Sequence, residues 1–355
     1  MSKLELIPCP LCGNYSSFES LSINCQDSHI PNYGSLYEGV KKSEWKICSP
    51  CGFVHQNPRP SKEDLNQFYL SSRYHSSEIP KSYFLENGKH YIDFARWYYL
   101  DKIQYAIANM DLKGLGKVFD IGAGHGGVLK VFSQDLGWEI YGVEPDKNLF
   151  DYAANYLGMK TIQNTILDSN TEISDQVDLV FSNHAFEHFA DLDQVMLGIQ
   201  KILKPGGYIF TAIPTYYQNR SDLSLQWMNT AHYSMFTDKS LNQLFSKYGF
   251  EEVTHTYRGW NKEIDDLWHL AKFTGVSIEA NSFYEISSKV KDYINITNPI
   301  NSIINYPIYS NYAKRIEFVN MLKQKMRFVK RNFKLLFTSP RQAITNVKEK
   351  LLNKS

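Results

Sequence analysis

The chain has 355 residues, 14% of them aromatic, and a formal net charge of +1 at pH 7. That length leaves room for two domains and a large core, and the aromatic content excludes a disordered chain. No run approaches the roughly 20 apolar residues of a membrane span. The start, "MSKLELIPCPLCG", lacks the basic-then-apolar layout of a secretory signal. The expected location is therefore the cytoplasm, at most peripheral to the inner face of the membrane.

Four of the five cysteines form two C-x-x-C pairs, Cys9 with Cys12 and Cys48 with Cys51, each followed by glycine. Two such knuckles supply four soft thiolates, a tetrahedral set suited to structural zinc. The glycines let the backbone turn its amides toward the sulfurs. A zinc-binding ribbon is thus expected over residues 1–60. Disulfides and redox dithiols are the alternatives.

Residues 61–114 read as a helical linker and cap. Ser61 suits a helix N-cap with Asp64 three positions on, and residues 81–110 carry apolar side chains near helical spacing before "DLKGLG" breaks the pattern. Strands are then expected at 117–122, 139–144, 159–163, 177–182, 208–214 and 251–257, with amphipathic helices between them. Short apolar strands alternating with helices imply an α/β fold with a Rossmann-like, doubly wound parallel sheet over residues 115–260. Asp191 fits an N-cap, Pro205-Gly206-Gly207 a helix end, and Thr237 a second cap with Gly249 as its stop.

Beyond residue 260 the pattern reads as a helical, basic C-terminal extension (261–355), and no seventh strand is evident. Residues 311–355 hold twelve Lys or Arg against Glu317 and Glu349. A basic tail on an acidic body points to an anionic membrane surface or an acidic partner, with packing on its own body as the alternative.

The chemistry begins at "DIGAGHGG". Gly122, Gly124 and Gly127 satisfy G-x-G-x-x-G after a strand, and Glu144 ends the next strand, where a carboxylate can accept from both hydroxyls of a ribose. Asp120, two residues before the first glycine, can receive an ammonium but would repel a pyrophosphate. Residues 115–257 resemble a class I S-adenosylmethionine-dependent methyltransferase: "VFDIGAGHGG" is similar to its glycine motif, "YGVEPD" to its acidic turn, and "VDLVFSNHAFEHFADLDQVMLGIQKILKPGGYIFTAIP" to its fourth-to-fifth-strand unit. "CPLCG…CSPCGFVHQNPRPSKEDLNQFY" resembles the zinc-binding leader of bacterial methyltransferases of surface-polysaccharide, glycolipid or secondary-metabolite pathways.

The resemblance implies S-adenosylmethionine as cofactor. Gly122 and Gly124 would line its methionine and ribose, Asp120 would support its amino end and Glu144 would bind the ribose diol. Asn183 would lie near the sulfonium, as would His184, and adenine contacts would come from Ile166 to Asp168. The expected acceptor is a sugar, glycolipid or other small pathway intermediate. A nucleic-acid methyltransferase, a quinone-type enzyme and a non-catalytic adaptor are the alternatives; an acidic body without an N-P-P-Y-like motif argues against nucleic acid. His184, His188 and His232 are the candidate bases. The spacing H-x-x-E-H over His184, Glu187 and His188 also matches an inverted zinc-peptidase signature. It falls at the end of a strand and not inside a long helix, so Glu187 and His188 are expected to support the crevice.

Overall fold

The computed structural model describes residues 4–21, 44–72, 79, 81–216, 228, 231–258, 266–277, 285 and 287–291. The basic tail, 311–355, lies outside the described residues, as does Cys25.

The N-terminal part is built from β1 (Leu4–Glu5), β2 (Phe18–Ser20), β3 (Trp45–Cys48), β4 (Val54–Gln56) and β5 (Arg59–Pro60). Each C-x-x-C closes a tight turn in which Gly13 and Gly52 donate to the carbonyls of Cys9 and Cys48, at 2.9 and 2.7 Å. Both glycines have positive φ, 73° and 76°, a conformation that costs little without a Cβ. β2, β3 and β4 form an antiparallel sheet, and its fourth strand comes from far along the chain: β11 (Ser234–Met235) pairs with His55 and Val54. The ribbon is thereby stitched onto the segment that follows His232.

Helix α1 (Lys62–Leu70) starts at Ser61, whose hydroxyl accepts from Asp64 N–H as the sequence predicts. Residues 81–88 turn irregularly, and α2 (Lys89–Ala108) follows. The main sheet then unfolds through β6 (Lys117–Ile121), α3 (Gly127–Asp135), β7 (Glu139–Val143), α4 (Lys147–Asp151), β8 (Ile162–Gln163), β9 (Val177–Asn183), α5 (Leu192–Ile202), β10 (Leu203–Pro214), α6 (Asp238–Lys247), β12 (Phe250–Arg258) and β13 (Asp266–Phe273). Its order is β12-β13-β10-β9-β6-β7-β8.

Alternate residues feed two cores, as expected of strands buried on both faces. Val118, Leu179, Phe181 and Phe210 pack with residues of α2 and α3, whereas Phe119, Val180 and Ile209 pack with residues of α5 and α6. The caps follow the sequence: Asp191 accepts from Gln194 N–H, and Thr237 forms a reciprocal capping pair with Ser240.

Two features differ from expectation. β10 begins at Leu203, running through Pro205–Gly207 with a break in register before Tyr208. More consequentially, a seventh strand exists. β13 lies antiparallel between β10 and β12, so the sheet reaches Phe273 and takes in residues the sequence assigned to the helical extension. Its pattern hides it: "DLWHLAKF" carries Asp266 and His269, both buried, at positions where an apolar strand signal would be sought.

Candidate active site

The crevice forms at the carboxyl ends of β6, β7 and β9, the usual ligand position in an open α/β sheet. After β6 the chain must reverse into α3 within a few residues. Gly122, Gly124 and Gly126 adopt φ of 70°, 54° and 77°. A Cβ at Gly124 would meet nothing within 4 Å, so that backbone faces open space; a Cβ at Gly127 would lie 2.7 Å from the Tyr91 hydroxyl, so this glycine serves packing of α3 on α2. Gly126, not Gly127, carries the left-handed turn.

Glu144 closes the loop from the neighbouring strand. Its Oε2 accepts from Gly124 N–H at 2.6 Å and its Oε1 from Asp146 N–H at 2.8 Å. Each oxygen keeps a second lone pair for a ligand hydroxyl. Burial raises the Glu144 pKa to about 7 against the opposing pull of those two amides. Asp120, at the end of β6 and 2% exposed, is also raised, first by burial and then by Glu144. Two neighbouring buried carboxyls favour a ligand that brings a positive charge and hydroxyl donors.

A cavity of about 350 Å³ is lined by Asp120, Gly122, Gly124, Glu144, Asp168 and Asn183 together with His184 and His188. The structure thus gathers every predicted cofactor residue at one place. Asp168 sits in a turn where its Oδ1 accepts from Asn170 N–H. α5 presses on this turn, since a Cβ at Gly198 would lie 2.5 Å from the Asp168 carbonyl. Asn183 Oδ1 accepts from Lys102 Nζ at 2.5 Å.

His184 follows β9 with φ of 54°, unusual for a residue with a Cβ, and its N–H donates to Ala212 O at 2.8 Å. Its Nε2 stands 3.1 Å from Asp266 Oδ1 and its Nδ1 3.8 Å from Glu187 Oε1. Burial disfavours the charged ring, but the Asp266 carboxylate outweighs it and the pKa is raised. Burial would likewise raise Asp266, yet His184 and Lys102 hold it well below the usual carboxylate range.

His188 sits in a single turn, Phe186–His188, and lines the cavity. Its Nδ1 lies 2.8 Å from the Ala231 carbonyl and 3.0 Å from the Tyr69 hydroxyl. A carbonyl only accepts, so Nδ1 carries the proton and Nε2 the lone pair of the neutral ring. His232, expected as a base, stands behind this ring, edge-on at 4.6 Å between centroids, and is 5% exposed. The ribbon holds that segment: Gln56 bonds the carbonyls of His232 and Tyr233.

Glu187, both of whose oxygens are buried without a hydrogen-bond partner among the described residues, is raised to about 7 by burial. Glu187, His188 and His232 place their donor atoms within 4.8 Å of one another. A tetrahedral zinc would draw such ligands to about 3.3 Å apart, whereas Glu187 Oε1 and His188 Nε2 are 3.7 Å apart. We assign no metal to this group. The cysteines do fit one: Cys9–Cys51 and Cys12–Cys48 have Sγ separations of 3.6 and 3.5 Å. Zinc–sulfur bonds of about 2.3 Å in a tetrahedron require about 3.8 Å between sulfurs, and a disulfide would need about 2.05 Å. No sequence signal marks Tyr69, Lys102 and Asp266, because each lies far along the chain from the cavity residue it contacts.

Residues 91–255 match a family model described as "Methyltransferase domain". The C-methyltransferase NovU of Streptomyces niveus is 28% identical over 39% of this chain and 34% of its own length. Phosphoethanolamine N-methyltransferase 2 of Caenorhabditis elegans is 26% identical over 40% of this chain and 34% of its own. The ubiquinone biosynthesis O-methyltransferase of Proteus mirabilis is 28% identical over 26% of this chain and 40% of its own. The chain therefore spans 34–40% of the length of these relatives, and they differ in the atom named for methylation. Residues 91–255, which carry β6 to β10 of the α/β sheet, are thus similar to a methyltransferase domain.

Proposed function

We propose that the chain is an S-adenosylmethionine-dependent methyltransferase that acts on a sugar, glycolipid or other small pathway intermediate. The observation that carries this reading is the convergence of Asp120, Gly124 and Glu144 on one cavity that His184 and His188 also line. Asp120 would receive the cofactor's ammonium, Glu144 its ribose diol, and the turn at Asp168 its adenine edge. The small-molecule acceptor rests on the ribbon's resemblance to the leaders of such enzymes and on the modest size of the cavity.

Methyl transfer is an in-line displacement at an activated carbon, so alignment supplies most of the rate. Where the acceptor must lose a proton, His188 is the base: its protonated Nδ1 is anchored on Ala231 O, which puts the lone pair that takes the proton on Nε2. His232 backs this ring. His184, predicted as a base, has a raised pKa and fits a hydrogen-bond donor better. Cys9, Cys12, Cys48 and Cys51 would hold a structural zinc, which fixes β3 and β4 and through β11 the His232 segment. The test is mass spectrometry of small-molecule pools incubated with the protein and methyl-labelled S-adenosylmethionine. A labelled product that disappears with His188→Gln supports the reading; no labelled product from any pool, with folded protein, argues for the adaptor alternative.

A further inference from the structure

β13 delivers a side chain to the crevice that no motif announces. Its first residue, Asp266, pairs with Pro214 of β10 and Arg258 of β12, at the carboxyl end of the parallel strands. Asp266 is 8% exposed, and Lys102 of α2 is 4% exposed. Asp266 Oδ1 is 3.1 Å from His184 Nε2, and Asp266 Oδ2 is 3.1 Å from Lys102 Nζ. The same ammonium donates to Asn183 Oδ1 and lies 4.8 Å from the Tyr98 ring centroid. A buried charge is costly unless paired and hydrogen-bonded. These two are paired, and the network they form ends on Asn183 and His184, adjacent residues that line the cavity.

Here a carboxylate oxygen lies 3.1 Å from Nε2, while Nδ1 stands 3.8 Å from Glu187 Oε1. The arrangement parallels the general use of a carboxylate to orient an imidazole in a site.

We propose that Asp266 and Lys102 are positioning residues of the methyl-transfer site: Asp266 orients the His184 ring through Nε2, and Lys102 locks Asp266 to Asn183. The proposal rests on the methyltransferase reading above for its meaning, but its geometry can be tested separately. Full-length protein labelled with ¹⁵N-histidine is compared by NMR as wild type, Asp266→Asn, Lys102→Met and the charge-balanced double variant, with His184→Gln assigning the signals. The His184 resonances should shift in Asp266→Asn and in the double variant, and Lys102→Arg should restore them toward wild type relative to Lys102→Met. The double variant keeps the test open if a single one fails to fold. Unmoved His184 resonances in folded Asp266→Asn, or in the folded double variant, would overturn the proposal. Failure of the wild type to bind S-adenosylmethionine would instead sink the methyltransferase reading while leaving the His184 shift as measured.

Discussion

Glu144→Gln isolates the contribution of one carboxylate without emptying its space. Glu144 accepts from the N–H groups of Gly124 and Asp146, one on each oxygen. Glutamine offers one acceptor oxygen, so its amide nitrogen must face an N–H donor and one backbone group loses its partner. An unpaired buried donor costs about 1–3 kcal/mol. For a domain of this size that lowers the melting temperature by about 2–4 °C per kcal/mol. In binding, the carboxylate would accept from both ribose hydroxyls, whereas glutamine can accept from one and would donate to the other, whose own O–H loses its charged acceptor. Losing a hydrogen bond to a charged group removes about 1.5–3 kcal/mol, which is about a 10- to 100-fold weaker affinity. Thermal melting and calorimetry with S-adenosylmethionine read the two effects independently. A variant that melts normally and binds with wild-type affinity would refute the assignment of Glu144 to the ribose.

Three further outcomes follow from the same geometry. The folded pKa of Glu144, about 7, lies above its usual 4.5, so its contribution to ligand-free stability is full below about pH 4.5 and lost as pH rises through about 7. Cofactor binding favours the ionised form, so affinity for S-adenosylmethionine should climb up to about pH 7 and then level, with a shallower rise in Glu144→Gln; a profile flat from about pH 5 to 8 would count against burial of an ionising Glu144. Metal analysis should find one zinc per chain in the wild type and none in a Cys9→Ser, Cys48→Ser variant. Zinc retained in full by that variant would count against a four-cysteine site. Gly198→Ala should destabilise by about 1–3 kcal/mol through overpacking, because its Cβ would press on the Asp168 carbonyl; an unchanged melting curve would show that α5 can shift away.

Local signals were legible in the sequence where one short segment determines its own structure. Ser61, Asp191 and Thr237 cap their helices as predicted, because capping bonds span three residues. The glycine loop and the two knuckles are likewise local, and the residues expected to hold a cofactor line one cavity because strand ends of a parallel sheet converge. Contacts that join distant segments were not legible. β13 is concealed by buried Asp266 and His269, whose partners Lys102, His184 and Glu252 lie elsewhere in the chain. The same is true of β11: Ser234 and Met235 are too short a stretch to show any alternation, yet they complete the ribbon's sheet. His184 and His188 were visible as a pair, but the sequence does not show that one meets the carboxylate of Asp266 and the other the carbonyl of Ala231.

In the proposed reading the crevice at Asp120 and Glu144 holds S-adenosylmethionine. Titration calorimetry of the full-length wild-type protein tests it most directly: saturable binding at one site per chain, competed by S-adenosylhomocysteine, is the predicted result. Folded protein that shows no binding at millimolar cofactor would contradict it.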